Sequence, residues 1–168
     1  MFTSSKPVSG EDVKYALIDN SQTISVGEAI IPGVQTDTSV VLTAGGTLGA
    51  ILGVVLSIVG DKGKVLELNS YAAEADNVTD KLVRVAYIPS YIPGTFISDL
   101  DAAAETTDNS GAFGNFSIDS TGLLVDESTV QAFSVVENMQ MFSYGLTGRS
   151  TTEVEVRFIS TGLGYNIA

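Results

Sequence analysis

The feature that most constrains the fold of this chain is a pair of apolar runs joined by a short polar turn. Residues 51–59 form a continuous apolar run, and residues 64–71 form a second run in which polar and apolar side chains alternate. The four residues between them combine glycine with polar side chains, a composition typical of tight turns. The segment 51–71 is therefore predicted to form a β-hairpin.

Hydrophobic alternation predicts further strands on both sides of the hairpin. In residues 152–159, Val154, Val156 and Phe158 alternate with charged residues, which is the pattern of a strand with one buried face. Other short β-rich runs, separated by turn-forming residues, occur at residues 15–18, 22–26, 39–43 and 81–88. The chain is predicted to be a mainly β protein with antiparallel strands.

The sequence changes character after residue 88. Pro89 and Pro93 have no amide hydrogen to donate to a sheet, so residues 90–95 are predicted to be a connector rather than a central strand. From Asp99 the chain begins like a short helix, and it then passes into a polar loop near Gly111. Residues 129–141 fit either a helix or strands, and strands are favoured.

Composition excludes several kinds of active site. The 168-residue chain contains no His, Cys or Trp, so it cannot build a Ser-His-Asp or Cys-His catalytic centre or a zinc site of the usual ligands. A net charge of −12 also disfavours nucleic acid and anionic lipid as partners. Most familiar hydrolase chemistry is therefore excluded, and no nucleic acid is expected as a partner.

Acidic side chains are the remaining candidates for chemistry. Asp99, Asp101, Glu105 and Asp108 could in principle bind a hard cation or supply the two carboxylates of a glycosidase. Their spacing matches no calcium loop, and the chain has no Trp to form a platform for a sugar. A solvated acidic loop is the favoured interpretation. We therefore expect a protein that is not an enzyme, with no cofactor and no metal.

The long uncharged interval at residues 38–60 raises the question of a membrane span. Its dense apolar part covers only residues 48–59, which is shorter than the roughly 20 residues that a spanning helix needs. A buried strand is favoured, and no membrane association is expected. Residues 1–14 lack the apolar stretch of a secretory signal and are predicted to form a flexible N-terminal arm.

Aromatic residues cluster in the middle of the chain, at Tyr87, Tyr91, Phe96, Phe113, Phe116 and Phe133. Core packing is the default interpretation of such residues. Phe113 and Phe116, however, lie in the Gly-, Asn- and Ser-rich segment 109–117, where a monomer could hardly bury both. We therefore predict that an intersubunit contact involves Tyr87, Tyr91, Phe113 and Phe116.

Several segments of the sequence together resemble a known family. They are the polar arm at residues 1–12, the segments 24–31 and 48–55, the predicted hairpin, and the connector Tyr87-Ile88-Pro89-Ser90-Tyr91-Ile92-Pro93-Gly94. Across residues 18–98 the chain resembles the decoration (cement) proteins of tailed-bacteriophage capsids. The resemblance implies a β-barrel or β-tulip-like sandwich, trimers seated where capsomers meet, and an N-terminal arm laid along the major capsid protein.

These expectations combine into one hypothesis. Residues 15–98 form the β-barrel or β-tulip-like domain with long loops, and residues 99–168 form a second β-rich half, either packed on the first or standing as a separate outer domain. The protein is a structural virion component and a homotrimer, made in the host cytoplasm. It binds the outer surface of the capsid and stabilises the expanded head by clamping neighbouring major capsid proteins. The residues expected to contact the capsid from the arm are Phe2, Lys6, Pro7 and Val8.

Three other functions stay open at this point. The chain could be another virion component, such as a head fibre or tail subunit. It could be a bacterial surface β-domain that acts as a binding module, which predicts a secretion signal. It could also be an enzyme that uses carboxylates, which predicts a cleft in which Asp99, Asp101 or Glu105 has a raised pKa.

Overall fold

The computed structural model describes residues 1–33, 40–45, 51–92, 94–102, 112–131 and 140–159. In this part of the chain the fold is mainly β, as the sequence predicts. The strands are β1 (Thr3–Ser4), β2 (Lys14–Ile18), β3 (Thr23–Ser25), β4 (Ala29–Pro32), β5 (Val40–Thr43), β6 (Gly53–Val59), β7 (Val65–Leu66), β8 (Ser70–Ala72), β9 (Arg84–Pro89), β10 (Phe96–Asp99), β11 (Phe113–Ile118), β12 (Val125–Gln131), β13 (Met141–Leu146) and β14 (Glu153–Phe158). Two short helical turns, a 3₁₀ turn and a π turn, lie at Gly10–Asp12 and Asn77–Lys81.

Five strands of the first sheet close into a ring. Strands β5, β2, β9 and β6 lie side by side in that order, and β4 pairs with both β5 and β6. Neighbouring strands are antiparallel except β2 and β5, which run parallel. We call these five strands the strand ring. A separate two-stranded sheet, formed by β3 and β8, accompanies it.

The predicted hairpin is confirmed at its turn and extends the ring, but its second strand ends at Leu66; residues 70 and 71 belong to β8, which pairs with β3 instead. β6 turns at residues 60–63 and pairs with the short strand β7, with Val59 opposite Val65. Gly63 in the turn has a φ of +76°, a left-handed conformation that a residue without a side chain adopts readily.

The second sheet is antiparallel, in the order β1-β10-β14-β13-β11-β12. An isolated bridge between Leu100, just after β10, and Val125, at the start of β12, links distant strands of the sheet and curls it. In β14, Val154, Val156 and Phe158 are buried, whereas the charged residues between them are only partly so. The alternation predicted for this segment is confirmed.

Residues 1–14 differ from the predicted flexible arm. Phe2 is only 1% exposed, and its ring lies 5.5 Å from that of Phe158 between centroids. The Phe2 amide donates to the carbonyl of Gly27, and the next two residues form β1 at the edge of the second sheet. A buried aromatic side chain therefore anchors the start of the segment, and Thr3 and Ser4 belong to the second sheet. We call residues 1–14 the N-terminal segment.

A shared hydrophobic core joins the strand ring to the second sheet. Its members come from the ring, the N-terminal segment and the second sheet, and include Ala29, Val54, Ile88, Phe2, Phe96, Phe116 and Phe158. A second core lies within the first sheet and includes Ile18, Ile58 and Val85. The two halves thus pack on each other. The division between the sheets lies in the connector between β9 and β10, because the predicted boundary at residue 98 falls inside β10.

The remaining local predictions have mixed outcomes. The connector at residues 90–95 is confirmed, since its described residues lie outside the strands. No helix begins at Asp99, because this residue ends β10 opposite Glu153; residues 103–111 lie outside the described part of the chain. In the ambiguous segment 129–141, residues 129–131 belong to β12 and Met141 begins β13, while residues 132–139 are outside the described part.

Candidate functional site

An exposed aromatic surface lies on the outer side of the second sheet. Phe113 in β11 is opposite Tyr144 in β13, and the two are 45% and 47% exposed. Phe142 contacts both rings edge-on, with centroid distances of 5.4 Å to Phe113 and 5.2 Å to Tyr144. We call Phe113, Phe142 and Tyr144 the aromatic patch.

The aromatic patch arises because β13 turns a serine inward and its large aromatic rings outward. Ser143 is fully buried, and its hydroxyl donates to the carbonyl of Ala112. Met141 is buried as well. Because successive side chains of a strand point to opposite faces, Phe142 and Tyr144 lie on the outer face. A strand that buries a serine and exposes its large rings is typical of a surface that binds a partner.

The sequence identified one member of this surface. Phe113 was predicted as a contact residue and is exposed in the aromatic patch. Phe142 and Tyr144 were missed. The signal for them was the alternation of large apolar residues with Ser143 and a glycine, but such a pattern ordinarily predicts that the apolar face is the buried one.

Two of the predicted contact residues lie in the interior. Phe116 is fully buried in the shared core, so the default core interpretation was the right one for it. Tyr87 is also buried, in the core of the strand ring, and burial raises the pKa of its phenol, with a further contribution from Tyr91. Tyr91 is half exposed in the connector. Tyr91 and Phe113 are thus the predicted residues that a second subunit could reach.

The N-terminal segment keeps part of its surface available. Lys6 and Pro7 are exposed, whereas Val8 is partly buried against the shared core and Phe2 is buried within it. An open apolar groove of about 300 Å³ runs beside the segment, and its walls include Val8 and Leu56. Lys6 and Pro7 could contact a partner directly, but Phe2 could do so only by leaving the core.

The acidic residues considered for chemistry do not gather into a site in the described part of the chain. Asp99 accepts a hydrogen bond from the Thr152 hydroxyl at 3.0 Å. Glu105 and Asp108 lie outside the described residues. Within the described ranges, no group of three or more potential ligand residues could hold a metal ion. The aromatic patch, rather than the carboxylates, is therefore the candidate functional site.

The comparisons with protein-family models and with curated proteins find no match to this chain. Among the helices of the described residues, none is long and apolar enough to cross a bilayer. What the fold and the surface define is a β-scaffold of two packed sheets that displays aromatic side chains on one outer face.

Proposed function

We propose that this protein is a structural virion component that binds the outer surface of a bacteriophage capsid. In this role it stabilises the expanded head by clamping neighbouring major capsid proteins, and it acts without catalysis. The observation that carries the proposal is the aromatic patch, because clustered exposed aromatic side chains are characteristic of protein–protein interfaces. The resemblance of residues 18–98 to decoration proteins suggests which partner the patch serves.

The charge of the chain supports a protein as partner, rather than nucleic acid or a membrane. The net charge is −12, and the partly exposed positions of β14, the neighbour of β13, carry Glu153 and Glu155 together with one cation, Arg157. An acidic surface repels polyanions and keeps unassembled copies soluble. The proposed location is the capsid exterior, after synthesis in the host cytoplasm.

Self-association into a homotrimer is part of the same proposal. None of the three residues of the aromatic patch is charged, so a different surface of a neighbouring copy can cover this area with little like-charge repulsion at the point of contact. Tyr91 and Phe113 are the predicted contact residues that stay accessible for this purpose. Lys6 and Pro7 are the proposed capsid contacts of the N-terminal segment, which binds with Phe2 in place.

The proposal is tested by light scattering of the purified protein and by its co-sedimentation with empty expanded phage heads. We expect a mass near three times 17.5 kDa and saturable binding to the heads. The variant Tyr144→Ser is expected to weaken one or both associations by about tenfold or more, as loss of an aromatic interface anchor does.

Tyr15→Ser is the matched control, because Tyr15 is even more exposed but belongs to the strand ring. We expect its mass and its binding to equal those of the wild type. Equal behaviour of the two variants would contradict the role of the aromatic patch. A monomer that ignores the heads would overturn the proposed function and favour a bacterial surface module.

A further inference from the structure

The turn at residues 25–28 is the point where three parts of the molecule meet. The carbonyl of Gly27 accepts a hydrogen bond from the Phe2 amide at 2.8 Å, which holds the N-terminal segment. The Gly27 amide donates to the carbonyl of Val55 in the strand ring, also at 2.8 Å. The amide of Ala29, the next residue along, donates to the carbonyl of Gly122 in the second sheet's turn at 2.9 Å. We call residues 25–28 the junction turn.

Glu28 brings a buried carboxyl group into this junction. The residue is 3% exposed, its Oε2 accepts a hydrogen bond from the Ser25 amide at 2.7 Å, and the Thr43 side chain supplies another hydrogen bond. Gly122 packs directly on it: a Cβ at that position would lie 2.8 Å from the Glu28 Cγ. The carboxyl group is therefore enclosed between the strand ring and the second sheet.

Asp119 is the charged residue that faces Glu28 from the second sheet. It is itself buried, and its oxygens accept hydrogen bonds from the Thr121 hydroxyl at 2.6 Å and from the Leu124 amide at 3.0 Å. From the strand ring and the junction turn, the groups that meet Glu28 are the neutral donors of Thr43 and Ser25. A second buried carboxyl group thus lies near Glu28, and among the described residues no cation is recorded as acting on Glu28.

Burial raises the pKa of Glu28 above its ordinary value. The hydrogen bonds from Thr43 and Ser25 oppose this effect, and the negative charge of Asp119 adds to it. These influences exist only while the junction is closed. In the unfolded chain, the same side chain is solvated and titrates near its ordinary value of 4.5.

We propose that the junction turn is a proton-controlled clamp: when Glu28 takes up a proton, the turn holds the N-terminal segment and the two sheets together more tightly. Protonation removes both the unfavourable burial of a charge and the repulsion from Asp119, so closure and proton uptake favour each other. Because the pKa is higher in the folded state, this stabilisation is fully present below the unfolded value and is lost as the pH rises through the folded value. The clamp is independent of the proposed capsid function.

Urea unfolding of the full chain between about pH 3.5 and about pH 8 tests the clamp through the variant Glu28→Gln, which keeps an acceptor for Ser25 but has no ionisable group. As the pH rises, the wild type is expected to lose stability relative to this variant. The ratio of their folding equilibrium constants should change by about tenfold for each unit by which the wild-type pKa is raised. Glu67→Gln removes the same charge from an exposed site and is expected to follow the wild type.

Two further measurements use folded protein. Carbon-13 NMR of the wild type should show the Glu28 carboxyl group titrating above the ordinary glutamate value of 4.5. Amide exchange of residues 2–5, corrected for its intrinsic pH dependence, should speed up with rising pH in the wild type but not in Glu28→Gln. Parallel unfolding curves of wild type and Glu28→Gln would overturn the clamp. If that variant does not fold, titration of Glu28 at or below the ordinary value of 4.5 would overturn it.

Discussion

At the scale of the residue, Phe2 determines where the N-terminal segment lies. Its ring is in the shared core beside Phe158, which in turn contacts Phe96. The variant Phe2→Ala is expected to lower the free energy of unfolding by about 3–5 kcal/mol, because a buried ring is lost and a cavity is left behind. Urea unfolding followed by circular dichroism measures this loss.

Lys6→Ala is the control for this prediction, because Lys6 belongs to the same segment but is exposed. Its expected effect is within about 0.5 kcal/mol of zero. Small and equal effects of the two variants would mean that Phe2 does not occupy the core.

Whether a single side chain is buried or exposed could be predicted from the sequence only where the strand itself was recognised. In β14, the contrast between apolar and charged residues predicted which side chains are buried. Phe113 and Phe116 are three residues apart, so a strand directs them to opposite faces, one exposed and one buried. The Gly- and Asn-rich composition around them is typical of a loop, so β11 was not predicted as a strand. The burial of Phe2 had no periodic signal, because β1 is only two residues long.

At the scale of the element, β6 determines whether the strand ring closes. Its first residue, Gly53, pairs with Ile30 of β4 on one side and with Pro89 of β9 on the other. A Cβ at this position would lie 2.2 Å from the carbonyl oxygen of Ile88 and 2.8 Å from the Tyr87 ring. Gly53→Ala is expected to lower the free energy of unfolding by about 3 kcal/mol, since the ring must open locally to admit the methyl group.

Thermal and urea unfolding of Gly53→Ala and Gly10→Ala would measure this effect and its control. A Cβ at Gly10 would meet no atom within 4 Å, so that variant is expected to keep nearly the wild-type stability. If Gly53→Ala were as stable as the wild type, the close approach of β6 and β9 would be refuted.

The hairpin of β6 and β7 was predictable from local residues, but the pairing of β4 with β6 joins distant parts of the chain and leaves no local signal.

At the scale of the whole molecule, the shared core predicts that the two sheets unfold together. Residues of both sheets and of the N-terminal segment belong to one buried cluster, so neither half can lose its fold without exposing the apolar face of the other. We expect one urea transition, in which the curves followed by tyrosine fluorescence and by far-ultraviolet circular dichroism coincide. The tyrosines of the first half that contribute to the fluorescence are Tyr15, Tyr71, Tyr87 and Tyr91. Two separated transitions would show that the halves are independent domains. The sequence left this question open, because packing between distant halves is not encoded in periodicity.

The closure of the strand ring also limits how neighbouring copies can meet. Strand β4 pairs with a neighbour on both sides, so its backbone hydrogen-bonding groups are used within its own chain. The same holds for the strands next to it in the ring. Crowded copies would then meet at these strands through side chains rather than through main-chain hydrogen bonds. Such a protein could be tiled densely over a surface, subunit beside subunit, without its rings merging into a continuous fibril.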